Sequence, residues 1–500
     1  MKENSLHQLI HSMTATEKRY FKLYTSKYSK SKRYQQMFDI INSMKNYDEK
    51  EVIKRLKSNM TKNKFQFEKN YLYNTILKSL NEFHTEISIE SKIDELNKNI
   101  EVLSQKGLYD QALKLVRKAV KLGDKYQCCV PIVRTYDLEL KLYEKRQKHD
   151  LIFKTRDKIK GLYNKLSVTE HFKELAALVS YKNVLYRTSL NEEHLKDMKK
   201  AIWSKLEHVD EDVLPFEPKM HVYFTKARYY EITGEIEKSM NYFKKMIQLY
   251  EEYPAIIQLD PEDYLISFGN YALCKLHLRR YKELLSNIEH IKKLKDALKI
   301  PKTDYHDAYF FFFTRPYALS IYNKIGDMDH IIALSDEVEY NFEKYERYVP
   351  KTVIFNTTKS LSMSYFLRGE YRKSLKLMNV IMQDELGKYS RGYIFYLIIH
   401  LELGNDVILN SLMNSTKRLL TNQGRFLEID NLAIEMIKEL IKEKQTPQTI
   451  YQKYYEKMKA LPTDPATDAT LDYFNVIKWA ESKIKQVDFV NVLGSQPQHK

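Results

Sequence analysis

The sequence predicts an all-α fold, an α-solenoid of helical hairpins preceded by a small helical N-terminal domain. The first observation is the scarcity of turn-forming residues, 12 Gly and 12 Pro in 500, which indicates long helices. The second is that 43% hydrophobic residues accompany 30% charged residues, which is enough to bury a core. The third is a repeated pattern, in which one Gly precedes an apolar helix face in GLYDQALKLVRKAV, GEIEKSMNYFKKMI and GEYRKSLKLMNVIM. A hairpin that recurs in this way is expected to stack on its copies, because none can bury its own apolar side.

Residues 1–90 do not follow the repeat and predict a separate basic domain of five short helices. Thr14 with Glu17 three residues later is a capping box that begins the second helix, and Asp48 is expected to cap the fourth. The apolar positions of the five helices are Leu6, Leu9, Ile10 and Met13; Tyr20, Phe21, Leu23 and Tyr24; Tyr34, Met37, Phe38, Ile41 and Met44; Val52, Ile53 and Leu56; and Tyr71, Leu72, Ile76, Leu77, Leu80 and Phe83.

Residues 91–445 predict about eight hairpins, which we align on the residue at each tight turn. The expected turns lie at Gly107, Gly234, Gly326 and Gly369, with weaker signals at Arg279 and Gly404 and degenerate ones near Gln147 and Leu190. Residues 446–486 are expected to be C-terminal capping helices, including one that runs through Leu471, Phe474, Ile477 and Trp479. Residues 487–500 are expected to be a disordered tail.

The hairpin pattern resembles the tetratricopeptide repeat. The match is best over 356–382, where Ser362 and Tyr365 occupy the small and aromatic positions of the first helix, and Gly369, Tyr371 and Ser374 form the turn and the second helix. The same positions recur in two other stretches, as Ala227, Tyr230, Gly234, Ile236, Ser239 and Phe243, and as Gly107, Tyr109, Ala112 and Ala119. The spacing of the turns here exceeds the family's 34 residues, and Arg315 with Pro316 interrupts one expected first helix. The resemblance implies a right-handed superhelix with a concave groove.

In that family the first helix of each hairpin lines the groove and receives a peptide or partner helix. Carried over by position, the resemblance implies six candidate groove residues: Phe224, Arg228, Asn270, Asn323, Lys359 and Arg391. Asn side chains can bond a peptide backbone, and Arg and Lys can hold carboxylates, so the set favours an anionic or C-terminal ligand segment. The aromatic run from Phe310 to Phe313 is expected to be buried between hairpins, the alternative being an exposed partner patch.

Positive charge is concentrated near the N-terminus. The net charge is +16, and residues 1–80 carry 14 Lys and 3 Arg against 2 Asp and 5 Glu. Candidate nucleic-acid contacts are Lys18, Arg19, Lys22, Lys30, Lys32 and Arg33, which are interleaved with aromatic residues that include Tyr20, Phe21 and Tyr24. The alternative is a lysine-rich surface that only keeps the protein in solution.

Signatures of catalysis and of cofactor binding are missing from the sequence. There is no Walker A loop, HExxH, GxSxG or EF-hand motif, and the three Cys residues form no CxxC pair. We therefore expect no enzyme activity, no metal site and no cofactor. The lack of a signal peptide or of a long apolar run favours a cytoplasmic protein with no membrane association.

The expected function is that of a protein–protein interaction scaffold that binds a peptide or partner segment in the groove. The alternative is a transcriptional or RNA-linked regulator, in which the basic N-terminal domain binds nucleic acid and the repeats act as a sensor. That order of parts is similar to bacterial peptide-sensing transcription factors, although no recognition helix is identifiable in residues 1–90. An enzyme within the N-terminal domain is a third alternative, against which the lack of a nucleophile–base pair counts.

Overall fold

The computed structural model describes residues 5–26, 31–56, 61–85, 88–186, 191–442, 445–462 and 465–494. Over these residues the chain forms 27 α-helices and three short 3₁₀ turns, with no strand, which confirms the all-α class. Contacts divide the chain into two units, residues 1–164 and 165–500, and the division falls inside α9. The predicted boundaries at 90 and 445 do not coincide with this division.

The first unit comprises α1 Ser5–Ser12, α2 Ala15–Ser26, α3 Ser31–Asn42, α4 Glu49–Arg55, α5 Lys62–Thr85, α6 Ile89–Gln105, α7 Tyr109–Tyr126, α8 Val130–Lys145 and the start of α9 His149–Tyr186. The second and fourth of the five N-terminal helices begin at the predicted caps. The Thr14 backbone N–H donates to Glu17 Oε2 at 2.7 Å, and the Glu17 N–H donates to Thr14 Oγ1 at 3.2 Å, so the capping box is formed. Asp48 caps α4 by accepting the N–H of Lys50 at 2.9 Å.

The second unit comprises the rest of α9, α10 Glu192–Ala201, α11 Phe216–Ile232, α12 Ile236–Glu251, α13 Pro254–Leu259, α14 Glu262–His277, α15 Tyr281–Ala297, α16 Asp304–Phe312, α17 Arg315–Ile325, α18 Met328–Tyr345, α19 Lys351–Leu367, α20 Tyr371–Gln383, α21 Tyr393–Glu402, α22 Asp406–Asn422, α23 Glu428–Ile441, α24 Pro447–Lys459, α25 Pro465–Tyr473, α26 Val476–Lys485 and α27 Phe489–Gly494. Consecutive hairpins pack on one another, for example α12 on α14, α17 on α19 and α21 on α23.

The tight turns lie at the predicted positions. The backbone is left-handed, with φ between +54° and +83°, at Gly107, Gln147, Gly234, Arg279, Gly326, Gly369 and Gly404. At Gly369 the N–H of Glu370 donates to Tyr365 O at 2.8 Å and the N–H of Gly369 to Phe366 O at 3.0 Å, which ends α19 in a Schellman motif. The expected turn near Leu190 lies outside the described residues.

Small residues bring the two helices of a hairpin together, as the repeat pattern requires. Ser362 of α19 and Ser374 of α20 are both fully buried, and their Oγ atoms lie 3.0 Å apart. Ala227 and Ser239 are likewise fully buried in the hairpin of α11 and α12. The helix pairs that contact each other most extensively are α6–α7, α11–α12 and α19–α20, which are the three stretches where the pattern is clearest.

The expected interruption at Arg315 and Pro316 divides one first helix into two. Helix α16 ends at Phe312, and Pro316 lies in the first turn of α17, where its missing N–H costs no hydrogen bond. Phe310, Phe312 and Phe313 are at most 4% exposed, and Phe311 packs against them, so the prediction that this run is buried is confirmed.

The C-terminal residues depart from the predicted arrangement. The expected single helix through Leu471 and Trp479 is broken between Tyr473 and Val476, where Asn475 caps α26. The predicted disordered tail from 487 is wrong as far as Gly494, because residues 489–494 form α27 and bury Val490 and Val492. Residues 495–500 lie outside the described residues.

Candidate functional site: the inner face of the second unit

We define the inner face as the side of α14, α17, α19 and α21 that faces α25–α27 or the cavity beside them. These are first helices of successive hairpins, the class of helix that the resemblance assigned to ligand binding. The C-terminal helices pack against this face although they are distant from it in sequence. The ion pair between Lys324 of α17 and Asp472 of α25 joins residues 148 positions apart. The face therefore already holds helical segments of the same chain.

Polar contacts fasten the C-terminal helices to the inner face. Lys324 also donates to the main-chain carbonyl of Asp472. Burial would raise the pKa of the Asp472 carboxyl, but Lys324, with a smaller contribution from Lys359, holds it below its ordinary value. The indole N–H of Trp479, on α26, donates to Oε1 of Glu402, on α21, at 2.8 Å.

Aromatic packing accompanies these polar contacts. The ring of Phe474 lies 4.9 Å from that of Phe395 and 5.6 Å from those of Phe366 and Phe489, measured between centroids. Phe474 is 4% exposed and Trp479 is 1% exposed. Buried aromatic residues contribute several kcal/mol each, so the C-terminal helices belong to the core of the unit.

Helix α27 rests against the turn between α17 and α18. A Cβ atom on Gly326 would lie 2.3 Å from the carbonyl oxygen of Val490, so only glycine permits this approach. The same residue has φ +73°, which a residue with a side chain adopts with strain. Gly326 thus has two independent reasons to be glycine, the turn and the docking of α27.

A cavity of about 480 Å³ remains between the inner face and the C-terminal helices. It is lined by α14–α17 and α19 on one side and by α25–α27 on the other. Within the part of the chain that the structure describes, five cationic side chains and one carboxylate, Asp472, line it. The cations are Arg279, Lys282, Lys324, Lys359 and Lys478. The cavity is therefore suited to an anionic ligand.

The cations differ in depth. Arg279 and Lys282 are exposed at the rim, whereas Lys359 is only partly exposed, with Nζ 4.0 Å from the ring centroid of Tyr473. Burial, and after it the nearby charge of Lys324, lowers the pKa of Lys359 to about 8, while Asp472 opposes both effects. Burial, and then Arg279, lowers the pKa of Lys478. Positive charge in the cavity is therefore incompletely neutralised.

The six predicted groove residues fall into two groups. Asn323, Lys359 and Arg391 lie where the C-terminal helices are. Asn323 is 5% exposed and donates to Ser360 O at 2.9 Å, so its amide joins two hairpins and is not free to bond a peptide. Arg391 donates to Thr470 Oγ1 of α25 at 3.0 Å. Lys359 alone of these three presents a cation to the cavity.

The other three residues, Phe224, Arg228 and Asn270, lie on α11 and α14. Arg228 donates to Asn270 Oδ1 at 2.8 Å, and its guanidinium carbon lies 5.4 Å from the centroid of the Phe224 ring. Arg228 also forms an ion pair with Glu231 at 2.5 Å. Among the described residues, no hydrogen bond or ion pair joins these three to the C-terminal helices. The structure therefore brings them to one another but not to the cavity.

Sequence reasoning missed Lys324, Lys478 and Asp472. Each lies in or beside a helix with no local pattern that distinguishes it from the many other charged residues of this chain. Their importance comes from contacts between α17 and the C-terminal helices, which no periodicity along the sequence reveals.

The basic N-terminal residues are dispersed over the surface of α2 and α3. Lys22 pairs with Asp39 at 2.7 Å and Arg33 with Glu68 at 3.1 Å. Arg19 and Lys32 are exposed and Lys18 is partly exposed, while Lys30 lies outside the described residues. Of the interleaved aromatic rings, Phe21 is fully buried and cannot stack on a base. Nucleic-acid binding stays a prediction.

Two further observations concern the described residues as a whole. No group of three or more His, Cys, Asp or Glu side chains in them is placed to hold a metal ion. None of their helices combines the length and apolarity needed to cross a membrane.

Comparison with known proteins gave no match, either to a family model or to a curated protein. The resemblance to the tetratricopeptide repeat therefore stays a prediction, based on the residues of the hairpins.

Proposed function

We propose that this chain is a non-catalytic binding protein, whose inner face holds an anionic segment of a partner protein. The observation that carries the proposal is the cavity of about 480 Å³, in which five cationic side chains of the described residues accompany one carboxylate. A cavity of this size is within the range of small-ligand sites, and it can hold the end of a peptide rather than a whole helix.

Support also comes from the C-terminal helices. They bind the inner face through an ion pair, side-chain hydrogen bonds and stacked aromatic rings, which are the contacts that a partner segment would use. The exposed rim cations Arg279 and Lys282 would attract an acidic segment towards the cavity and would act most strongly at low salt.

The proposal is tested by photo-cross-linking in lysate of the native cell. A photoreactive amino acid is placed at Lys282, on the rim, and in a second protein at Tyr340, which is 85% exposed on α18 and does not line the cavity. Cross-linked proteins are identified by mass spectrometry. A partner captured from position 282 and absent from position 340 supports the proposal, and identical captures from both positions contradict it.

A further inference from the structure

Lys359 is the starting point, because its ammonium group has no conventional partner. Among the described residues it has no hydrogen-bond acceptor and no ion-pair partner, and its one recorded contact is with the face of the Tyr473 ring. The nearest carboxylate that affects it, Asp472, is already bound by Lys324. An ammonium carries three donors, and a charge held partly out of water without a partner is costly. An anion that enters the cavity would relieve that cost.

A second lysine lines the same cavity with an unpaired side chain. Lys478 lies in the first turn of α26, and no carboxylate within the described ranges forms an ion pair with it. The first N–H groups of α26 also favour negative charge, although the Asn475 side chain already accepts one of them at 3.0 Å. Lys359, Lys478 and Lys324 therefore bring three ammonium groups to the cavity against the one carboxylate of Asp472.

The remaining lining indicates what kind of anion is suited to it. Polar groups of the floor are already used within the fold, since the hydroxyl of Thr357 donates to Val353 O at 2.9 Å and the amide of Asn323 donates to Ser360 O. Apolar side chains make up much of the rest, among them Phe312, Met363, Phe489 and Leu493. Apolar walls beside the ammonium groups suit a carboxylate borne on an apolar group better than a heavily hydrated phosphate.

We propose that Lys359, Lys478 and Lys324 form a carboxylate-binding subsite, which takes a carboxylate borne on an apolar group such as the last residue of a peptide. This inference rests on the proposed function and names the chemistry that the cavity recognises. The carboxylate lies against Lys359 and Lys478, while Lys324 keeps its pairing with Asp472. The apolar group lies against Met363 and Phe489.

The test uses the purified full chain and calorimetric titration with four probes: N-acetyl-leucyl-phenylalanine, its C-terminal amide, octanoate and inorganic phosphate. The dipeptide acid is expected to bind, and the amide and phosphate are expected to bind at least about tenfold more weakly, or not at all. A free fatty acid carries the same chemistry, so octanoate distinguishes the two sources of the carboxylate.

Two variants serve as matched controls. Lys359→Met should reduce binding of the dipeptide acid at least about tenfold, whereas Lys351→Met, at an exposed position of the same helix that does not line the cavity, should leave it within about threefold. Bound dipeptide should also protect Lys359 from acetylation by acetic anhydride, without protecting Lys351. Because Lys359→Met removes a partly buried charge that has no ion-pair partner among the described residues, unfolding is not expected to explain its loss of binding, and a thermal melt of the variant checks this.

The outcomes separate the subsite from the proposed function. Equal binding of acid and amide, equal binding of phosphate, or undiminished binding to Lys359→Met would each overturn the subsite. If no probe binds but position 282 captures a specific partner, the subsite is wrong and the proposed function stands. Binding of octanoate without the dipeptide supports the carboxylate subsite and contradicts a protein partner.

Discussion

First helices of the hairpins occur in two environments, one on the inner face and the other around α11. On α17, α19 and α21 the first helices are covered by α25–α27, and Asn323 and Arg391 are used in contacts within the chain. On α11 and α14, Phe224, Arg228 and Asn270 contact one another and remain partly exposed. We call these the covered part and the open part. The repeat pattern determines where a side chain lies, and the distant C-terminal helices determine what covers it.

The largest expected difference concerns truncation of an aromatic side chain. Trp479→Ala, in helix α26 over the covered part, should lower the free energy of unfolding by about 3–5 kcal/mol, since the residue is fully packed and its indole N–H is paired with Glu402 of α21. Phe224→Ala in the open part should cost only about 1–2 kcal/mol, because the ring is partly exposed. Urea unfolding of both variants measures this, and equal losses would contradict the distinction.

The second expected difference concerns two turn glycines with similar dihedral angles. Gly369 has φ +75°, and a Cβ atom added there would have no neighbour within 4 Å. Gly369→Ala should therefore lower the free energy of unfolding by about 1 kcal/mol, through backbone strain alone. Gly326→Ala, with φ +73°, should cost about 2–4 kcal/mol, because the Cβ also meets the Val490 carbonyl and displaces α27. Thermal melts of the two variants compare these costs. A smaller effect at Gly326 would show that α27 does not lie against this turn.

The third prediction is a stabilisation that depends on pH. Burial, together with the charge of Lys324, lowers the pKa of Lys359 to about 8 from its ordinary 10.5. Below pH 8 the folded state therefore contains a charged ammonium that destabilises it. Between pH 8 and pH 10.5 this lysine is more often protonated in the unfolded chain than in the folded one, so the stability of the native protein rises with pH. Lys359→Met should raise the free energy of unfolding by on the order of 2 kcal/mol at pH 7, and the gain should fade as the pH approaches 10.

Urea titrations of the wild-type chain and the variant at several pH values measure this dependence. The charged groups that affect the pKa of Lys359 are Lys324 on α17 and Asp472 on α25. Within the described residues, the cavity is also lined by His277, Arg279, Lys282 and Lys478. A destabilising effect of Lys359→Met at pH 7 would indicate that Lys359 has an acidic partner after all.

The smallest expected effect is in the open part. Arg228→Met should lower the free energy of unfolding by about 1 kcal/mol, since the guanidinium bonds Asn270 and Glu231 but is partly exposed. The expected change in the free energy of unfolding is opposite in sign to that of Lys359→Met, although both residues lie on a first helix. Urea unfolding of Arg228→Met at pH 7 checks the sign. A stabilised Arg228→Met would remove the contrast between the two parts.

Local signals predicted much of the fold. The capping box of Thr14 and Glu17, the cap at Asp48, the left-handed turns and the buried pair of Ser362 and Ser374 each depend on residues close in sequence or on one hairpin. Their geometry follows from backbone rules that a short stretch already contains.

The candidate site was less predictable, because it depends on contacts across the chain. Asn323 lies on α17 and Arg391 lies just before α21, but their partners, Ser360 and Thr470, are 37 and 79 residues away in sequence. The ion pair of Lys324 and Asp472 has no sequence signature, and neither does the return of α25–α27. Periodicity identifies which side of a helix is apolar but not which later segment will cover it.

The central claim, that the chain's own C-terminal helices cover α17, α19 and α21, is tested most directly by zero-length cross-linking with a carbodiimide. This reagent joins an ammonium to a carboxylate only where the two are in contact. The account predicts a linked peptide that joins Lys324 to Asp472, alongside the exposed pair of Lys453 and Glu439, whose charged atoms lie 2.7 Å apart and serve as the positive control. Recovery of the control link without the link between Lys324 and Asp472 would contradict it.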